Sequence, residues 1–152
     1  MTTYATTQIP TDVTPRRLAV AGVSTALVAV GWSVYGAHHW NEIATVSIVA
    51  ALVAGLVYGI VMPWGSRRPD PGNTALGLSV SAALLVFPAF WSGLPLVLGV
   101  AGMMLGNAGR TRPSGAGRSI GAIALGALAA VGYLTIFIWD GVILGHSGFL
   151  FD

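Results

Sequence analysis

Arginine clusters separated by long uncharged stretches constrain this chain more than any other feature. All seven basic residues are arginines, and they form three groups: Arg16 and Arg17; Arg67 and Arg68; and Arg110, Arg112 and Arg118. The apolar stretches without Asp, Glu, Lys, Arg or His are residues 18–37, 43–63, 74–109 and 119–139. Long apolar segments flanked by basic loops are typical of a multi-pass membrane protein whose basic loops share the cytoplasmic side.

The composition also indicates a membrane protein, with a single domain. Hydrophobic residues make up 55% of the sequence and charged residues only 8%, whereas soluble domains carry about 25% charged residues. We therefore predict a helical membrane domain over residues 16–140. Residues 1–15, which contain several threonines and two prolines, are predicted to be a disordered cytoplasmic tail. Residues 141–152 are predicted to be an apolar extracytoplasmic tail, too short to cross the membrane again.

The basic charge and the absence of cysteine exclude several kinds of partner and site. A pI near 9.5 would suit a nucleic acid, but topology and the anionic lipids of the inner leaflet explain arginines that flank apolar spans. The predicted partner is therefore the lipid bilayer, and no nucleic-acid binding is expected. Without cysteine, the chain has no disulfide, no thiolate metal site and no cysteine nucleophile.

The apolar stretches predict an all-α integral membrane protein with about five short transmembrane helices. The predicted helices are residues 18–37, 43–62, 74–90, 94–109 and 119–139. The first run contains 20 residues, longer than the roughly 7–15 of a signal-peptide core. As a helix it is about 30 Å long, which matches the hydrocarbon core of a bilayer. We therefore predict that it is a retained span.

The stretch 74–109 contains 36 residues, too many for one ordinary span and slightly few for two. Phe87-Pro88 and Gly93-Leu94-Pro95 interrupt it near the middle, as the turn of a hairpin would. One crossing would place four arginines on one side and three on the other, whereas going across and back places all seven inside. We therefore predict two short spans, with a re-entrant hairpin as the alternative. Both place the N-terminus in the cytoplasm and the C-terminus outside the plasma (inner) membrane.

Small residues recur at four-residue spacing along three of the predicted spans. They are Ser47, Ala51, Gly55 and Gly59 in the second span, Gly102 and Gly106 in the fourth, and Ala122, Gly126 and Ala130 in the fifth. Helices in lipid approach closely where such residues meet. We expect these stripes to pack within the bundle, with a neighbouring helix crossing near Gly55. Contact with a second copy or with another membrane protein is the alternative.

The three histidines are candidate ligands for a metal site. His38 and His39 follow the first span, and His146 lies in the C-terminal tail, so all three are predicted on the outer face. Imidazoles together with nearby carboxylates would suit Zn or Cu. Adjacent histidines at a helix end do not easily point at one metal, however, and polar capping of a span is the simpler interpretation. No cofactor is expected.

Residues 73–138 resemble a domain of unknown function that is widespread in small bacterial, chiefly actinobacterial, multi-pass membrane proteins. The shared pattern is an apolar hairpin, a glycine-rich return at residues 98–106 (LGVAGMMLG), a basic loop, and a restart at residues 117–121 (GRSIG) that opens an Ala/Gly-rich span. The resemblance implies a hairpin within 74–109. It implies no activity, cofactor or site residue, because the family has none assigned.

No ionisable residue lies inside a predicted span, which argues against an enzyme and against proton-coupled transport. The leading hypothesis is a non-catalytic membrane protein that acts through helix–helix contact, as an accessory or assembly subunit of a bacterial inner-membrane complex. A small channel or permease formed by a homo-oligomer is the alternative. Metal or redox binding at the outer rim through His38, His39 and His146 is a second alternative.

Overall fold

The computed structural model describes residues 14–36, 40–111 and 115–139. These residues form helices joined by short turns, so the predicted all-helical class is confirmed for the described part of the chain. The elements are α1 (Pro15–Gly36), α2 (Trp40–Leu56), a π-helical segment (Val57–Val61), α3 (Met62–Ser66), α4 (Pro71–Leu85), a 3-10 turn (Phe90–Ser92), α5 (Leu94–Gly109) and α6 (Ala116–Ile138).

Helix α1 begins three residues before the predicted span. The Thr14 carbonyl oxygen accepts a bond of 3.0 Å from the Leu18 N–H, and its hydroxyl oxygen lies 3.4 Å from the backbone nitrogen of Arg17. Thr14 thus caps the helix and Pro15 takes the first helical position, where its missing N–H costs nothing. Helix α1 therefore includes Pro15, the last residue of the predicted tail. Residues 1–13 of that tail lie outside the described residues.

The second predicted span, 43–62, is too short at both ends. The helix begins at Trp40 and continues through the π-helical segment to Ser66. The Met62 N–H donates to the Val57 carbonyl oxygen, five residues back, which widens the turn just before Pro63. Because a proline ring crowds the carbonyl of the residue four positions earlier, a wide turn lets the helix pass Pro63 without ending.

The predicted hairpin within 74–109 is present. Helix α4 starts at Pro71 and ends at Leu85, earlier than the predicted 74–90, and α5 has the predicted bounds. Residues 86–93 connect the two helices, and the last of them, Gly93, has φ +69, a left-handed conformation that L side chains rarely adopt. A Cβ at Gly93 would also collide with Ala29 of α1. At about 1.5 Å per residue, α4 and α5 are about 22–24 Å long, shorter than the ~30 Å hydrocarbon core.

Helices α4, α5 and α6 pack around one another, and α1 and α2 form a hairpin against α5. Gly22 of α1 faces the Tyr58 ring, whose hydroxyl donates to the Val97 carbonyl oxygen of α5 at 3.3 Å. The main core joins both parts of the fold and includes Leu18, Met62, Ala75, Leu105 and Ala122. Helix α6 begins three residues before the predicted span 119–139, and Trp139 forms its C-cap.

Two helical stretches, Ile43–Ser66 and Ala116–Ile138, are long and apolar enough to cross a membrane. Their most apolar windows are only 22% and 28% buried inside the chain. Fewer than a third of the residues in each window are therefore buried, whereas other elements surround the core helices of a water-soluble protein.

Candidate functional site

The contact between α5 and α6 depends on residues without side chains. A Cβ added to Gly126 would lie 2.6 Å from the Gly99 carbonyl oxygen, and one added to Gly106 would lie 2.8 Å from the Ser119 carbonyl oxygen. Backbone therefore packs directly on backbone. The small residues predicted on these two spans are all buried in the α4–α5–α6 unit, namely Gly102, Gly106, Ala122, Gly126 and Ala130.

The stripe on α2 behaves differently. Ser47 is half-buried, Ala51, Gly55 and Gly59 are exposed, and a Cβ on Gly55 or Gly59 would meet no atom of a neighbouring element within 4 Å. The expected helix crossing at Gly55 is therefore absent within the described chain. The buried residues lie on the adjoining face instead, namely Ala50 and Ala54 of α2 and Val57 of the π-helical segment. Ala50 and Ala54 each precede a stripe residue by one position, which is a rotation of about 100° around the helix. The stripe therefore faces away from the elements that bury Ala50 and Ala54.

Three residues of the stripe, Ala51, Gly55 and Gly59, form one wall of a groove between α1 and α2. The groove has a volume of about 1070 Å³. Its lining residues are mostly small and apolar, and they come from both helices: Pro15, Leu18, Ala19, Gly22, Val23 and Ala26 from α1, and Ala51, Ala54, Gly55, Tyr58, Gly59, Pro63, Ser66 and Arg67 from the helix that follows and its C-cap. Because Gly22 lies at Tyr58 and the two helices are antiparallel, Pro15 and Arg67 mark the same end of the groove.

A second surface that no described part of the chain covers lies on the outer face of α4. Asn73, Gly77 and Ser81 recur at four-residue spacing and are exposed, and a Cβ on Gly77 would meet nothing within 4 Å. From the sequence, small-residue stripes were predicted on three other spans and none on this helix. Ser79 is completely buried, whereas Ser81 points outward. The four-residue spacing from Asn73 to Ser81 was the available signal.

The structure brings the described arginines to one end of the helices. Arg118 contacts the Asp70 carboxylate at 2.8 Å, and the other Asp70 oxygen accepts from the Gly72 N–H at 3.0 Å. This joins the start of α6 to the start of α4. Arg67 and Arg68 directly precede this junction, Arg110 ends α5 beside it, and Arg16 and Arg17 begin α1 at the same end. Arg112 lies outside the described residues.

Arg68 also covers an exposed aromatic ring at this end. Its guanidinium carbon lies 3.6 Å from the centre of the Trp64 ring, and Trp64 is 52% exposed. A tryptophan stacked with an arginine is amphipathic and suits the boundary between lipid and water.

The candidate metal ligands fall outside the part of the chain that the structure describes. His38, His39 and His146 belong to residues 37–39 and 140–152, which are not described. Among the described residues, no three His, Asp or Glu side chains are grouped as a metal site requires. The histidine site stays a prediction.

No known protein family, curated protein or solved structure matches this chain. The resemblance of residues 73–138 to an actinobacterial membrane domain therefore stays a prediction that rests on the residues quoted for it. Any functional conclusion has to come from the surfaces of the molecule itself.

Proposed function

We propose that this chain is a small, non-catalytic, multi-pass membrane protein that acts through lateral helix contacts, as an accessory or assembly subunit of a bacterial inner-membrane complex. Two long apolar helices in which fewer than a third of the window residues are buried support a location in lipid. The gathering of the described arginines at one end supports a cytoplasmic N-terminus, because basic flanks stay on the cytoplasmic side.

The observation that carries this proposal is the outer face of α4. Asn73, Gly77 and Ser81 present two polar side chains and an open backbone away from α5 and α6. In a bilayer, small residues let a second helix approach, and serine or asparagine side chains bond across such a contact. The equivalent residues on the inner faces, such as Gly102 and Gly126, are already covered within the chain. A helix of another membrane protein would cover the outer face in the same way.

The chemistry of the buried groups also favours a non-catalytic role. The buried polar side chains of the described chain, other than the tyrosines, are the hydroxyls of Thr25, Ser79, Ser92 and Ser119. Thr25 donates to the Ala21 carbonyl oxygen at 2.8 Å and Ser92 to the Ala89 carbonyl oxygen at 2.6 Å, both within their own local segments. A hydroxyl that donates to a nearby backbone carbonyl oxygen serves the local hydrogen bonding of its helix or turn. Nucleophilic catalysis would need a base beside the hydroxyl instead.

The proposal is tested by purification of the chain from native membranes in mild detergent, followed by identification of co-purifying proteins. We expect a membrane protein in stoichiometric amount, and Gly77→Leu and Ser81→Leu should each abolish its recovery while the chain stays folded. Gly31→Leu is the matched control, because Gly31 is also exposed with no atom within 4 Å of an added Cβ.

Two outcomes would overturn the proposal. A homo-oligomer without another protein, together with ion or solute flux after reconstitution, would establish the channel alternative. Stoichiometric metal in the purified protein, lost in the double variant His38→Ala, His39→Ala, would establish the metal-binding alternative.

A further inference from the structure

We propose that the groove between α1 and α2 is a binding site for an anionic phospholipid. The phosphate would lie at the end marked by Arg67, and an acyl chain would extend along the glycine and alanine wall. This inference rests on the proposed membrane location, but it uses a different surface from the outer face of α4.

The shape of the groove suits a flexible chain. Gly55 and Gly59 leave open space on one wall, and the floor includes the buried side chains of Leu18, Ala54 and Tyr58. The groove volume of about 1070 Å³ lies just above the ~300–1,000 Å³ range of small-molecule sites. Empty apolar space forfeits dispersion contacts on every lining atom, so a hydrocarbon chain that fills it stabilises the hairpin.

The charge at one end of the groove determines the kind of lipid. Among the described residues that line the groove, Arg67 carries the one charged side chain, and no carboxylate is present. Arg16 follows the lining residue Pro15 in the sequence and is exposed at the same end. A guanidinium forms paired hydrogen bonds with phosphate oxygens, and basic pockets between helices on the cytoplasmic side bind anionic headgroups.

The same charge argues against a protein helix in the groove. A second copy in the same orientation would bring its own Arg16 and Arg67 to this end, opposite the two already there. Transmembrane helices of other proteins also carry basic residues at their cytoplasmic flanks. Like charges at such a contact are unfavourable, whereas a phosphate neutralises them.

The test uses the full-length chain, purified in a neutral detergent and titrated with phosphatidylglycerol or with phosphatidylcholine of the same acyl composition. Native mass spectrometry measures the lipid retained, and thermal unfolding measures the stabilisation. We expect retention of one phosphatidylglycerol and a clearly smaller effect of phosphatidylcholine. Arg67→Gln should weaken phosphatidylglycerol binding about fivefold, the factor that corresponds to about 1 kcal/mol for one arginine.

A second variant tests the apolar part of the site. Gly55→Leu places a side chain in open space, so the chain should fold while the acyl chain loses its path, and lipid retention should fall at least as much as in Arg67→Gln. Arg110→Gln and Gly77→Leu are the matched controls, because neither residue lines the groove, and both should bind lipid normally. Equal retention of the two lipids, or unchanged retention in Gly55→Leu, would refute the site.

The outcomes separate this inference from the proposed function. Loss of the protein partner in Gly77→Leu with lipid binding intact would support both proposals, since they use different faces. Absence of any protein partner with normal lipid binding would refute only the accessory role. A Gly55→Leu variant that changed from oligomer to monomer would show that a second copy occupies the groove, and the lipid site would be wrong.

Discussion

Ser79 of α4 donates a hydrogen bond of 2.7 Å to the backbone carbonyl oxygen of Ala122 on α6. Both residues are completely buried. Gly102 of α5 lies against the same hydroxyl, because a Cβ on Gly102 would collide with the Ser79 oxygen. Three helices therefore meet at the Ser79 hydroxyl group. This group fits between them only because residue 102 of α5 is a glycine without a side chain.

We expect Ser79→Ala to destabilise the chain modestly, by about 0.5–1 kcal/mol. Interhelical hydrogen bonds of this kind average about 0.6 kcal/mol in membrane proteins, because the unfolded chain in lipid also finds partners. Reversible unfolding in mixed detergent measures the difference. Ser81→Ala is the control, since Ser81 is exposed on the opposite side of α4, and it should change the free energy of unfolding by less than about 0.5 kcal/mol. Equal losses in the two variants would contradict this assignment of the two serines.

Glycine positions should separate into two classes when each is replaced by alanine. Gly126→Ala should destabilise by about 1–3 kcal/mol, because the new Cβ would lie 2.6 Å from the Gly99 carbonyl oxygen and the helices have to separate. Gly55→Ala should be neutral, or stabilising by up to about 1 kcal/mol, because the Cβ enters open space and alanine favours the helix. Thermal midpoints in detergent distinguish these results. A destabilised Gly55→Ala variant would show that another element covers the α2 stripe.

This contrast shows how much of the packing the sequence predicts. Four-residue spacing identified Gly102, Gly106, Ala122 and Gly126 as packing residues, and they lie at helix contacts. The same spacing on α2 gave a surface that no helix of the described chain covers. Spacing shows which residues share a face of a helix, but neighbouring elements determine which face is buried. On α2, the buried residues Ala50 and Ala54 are small like the exposed stripe residues Ala51 and Gly55 beside them in the sequence. Residue size therefore did not distinguish the buried face from the exposed face.

The sequence predicted the turn at Gly93 and the start of α5, but it missed the starts of α1 and α4, which Thr14 and Asp70 cap, and the end of the second helix. The hairpin turn near Gly93 and the start of α5 follow from Gly93 and Pro95. The end of the second helix did not follow from Pro63, because a π turn before it accommodates the ring. The groove was also not predictable, since it depends on the separation of α1 from α2 along their length.

Asp70 should matter more as a helix cap than as an ion-pair partner. Its side chain accepts from the Gly72 N–H at the start of α4 and also contacts Arg118, which is 55% exposed. Losing the cap costs about 1 kcal/mol, whereas exposed ion pairs contribute about 0.2–1 kcal/mol. We expect Asp70→Ala to be more destabilising than Arg118→Gln, and Asp70→Asn to keep most of the stability, because asparagine also caps. Unfolding at low and high salt tests this. A loss in Asp70→Asn as large as that in Asp70→Ala would show that the ion pair dominates.

The orientation in the membrane is testable because the chain contains no cysteine of its own. Single cysteines at His39, Ser114 and Ser147 report on the ends of the helices when intact cells are treated with a thiol reagent that does not cross the membrane. We expect labelling at positions 39 and 147 but not at 114, since the arginine-rich loop around Ser114 should stay in the cytoplasm. Labelling at all three positions after the cells are opened is the control for reactivity. Strong labelling at 114 in intact cells would place the arginine end outside, and it would remove the reason to expect the Arg67 end of the groove on the cytoplasmic side.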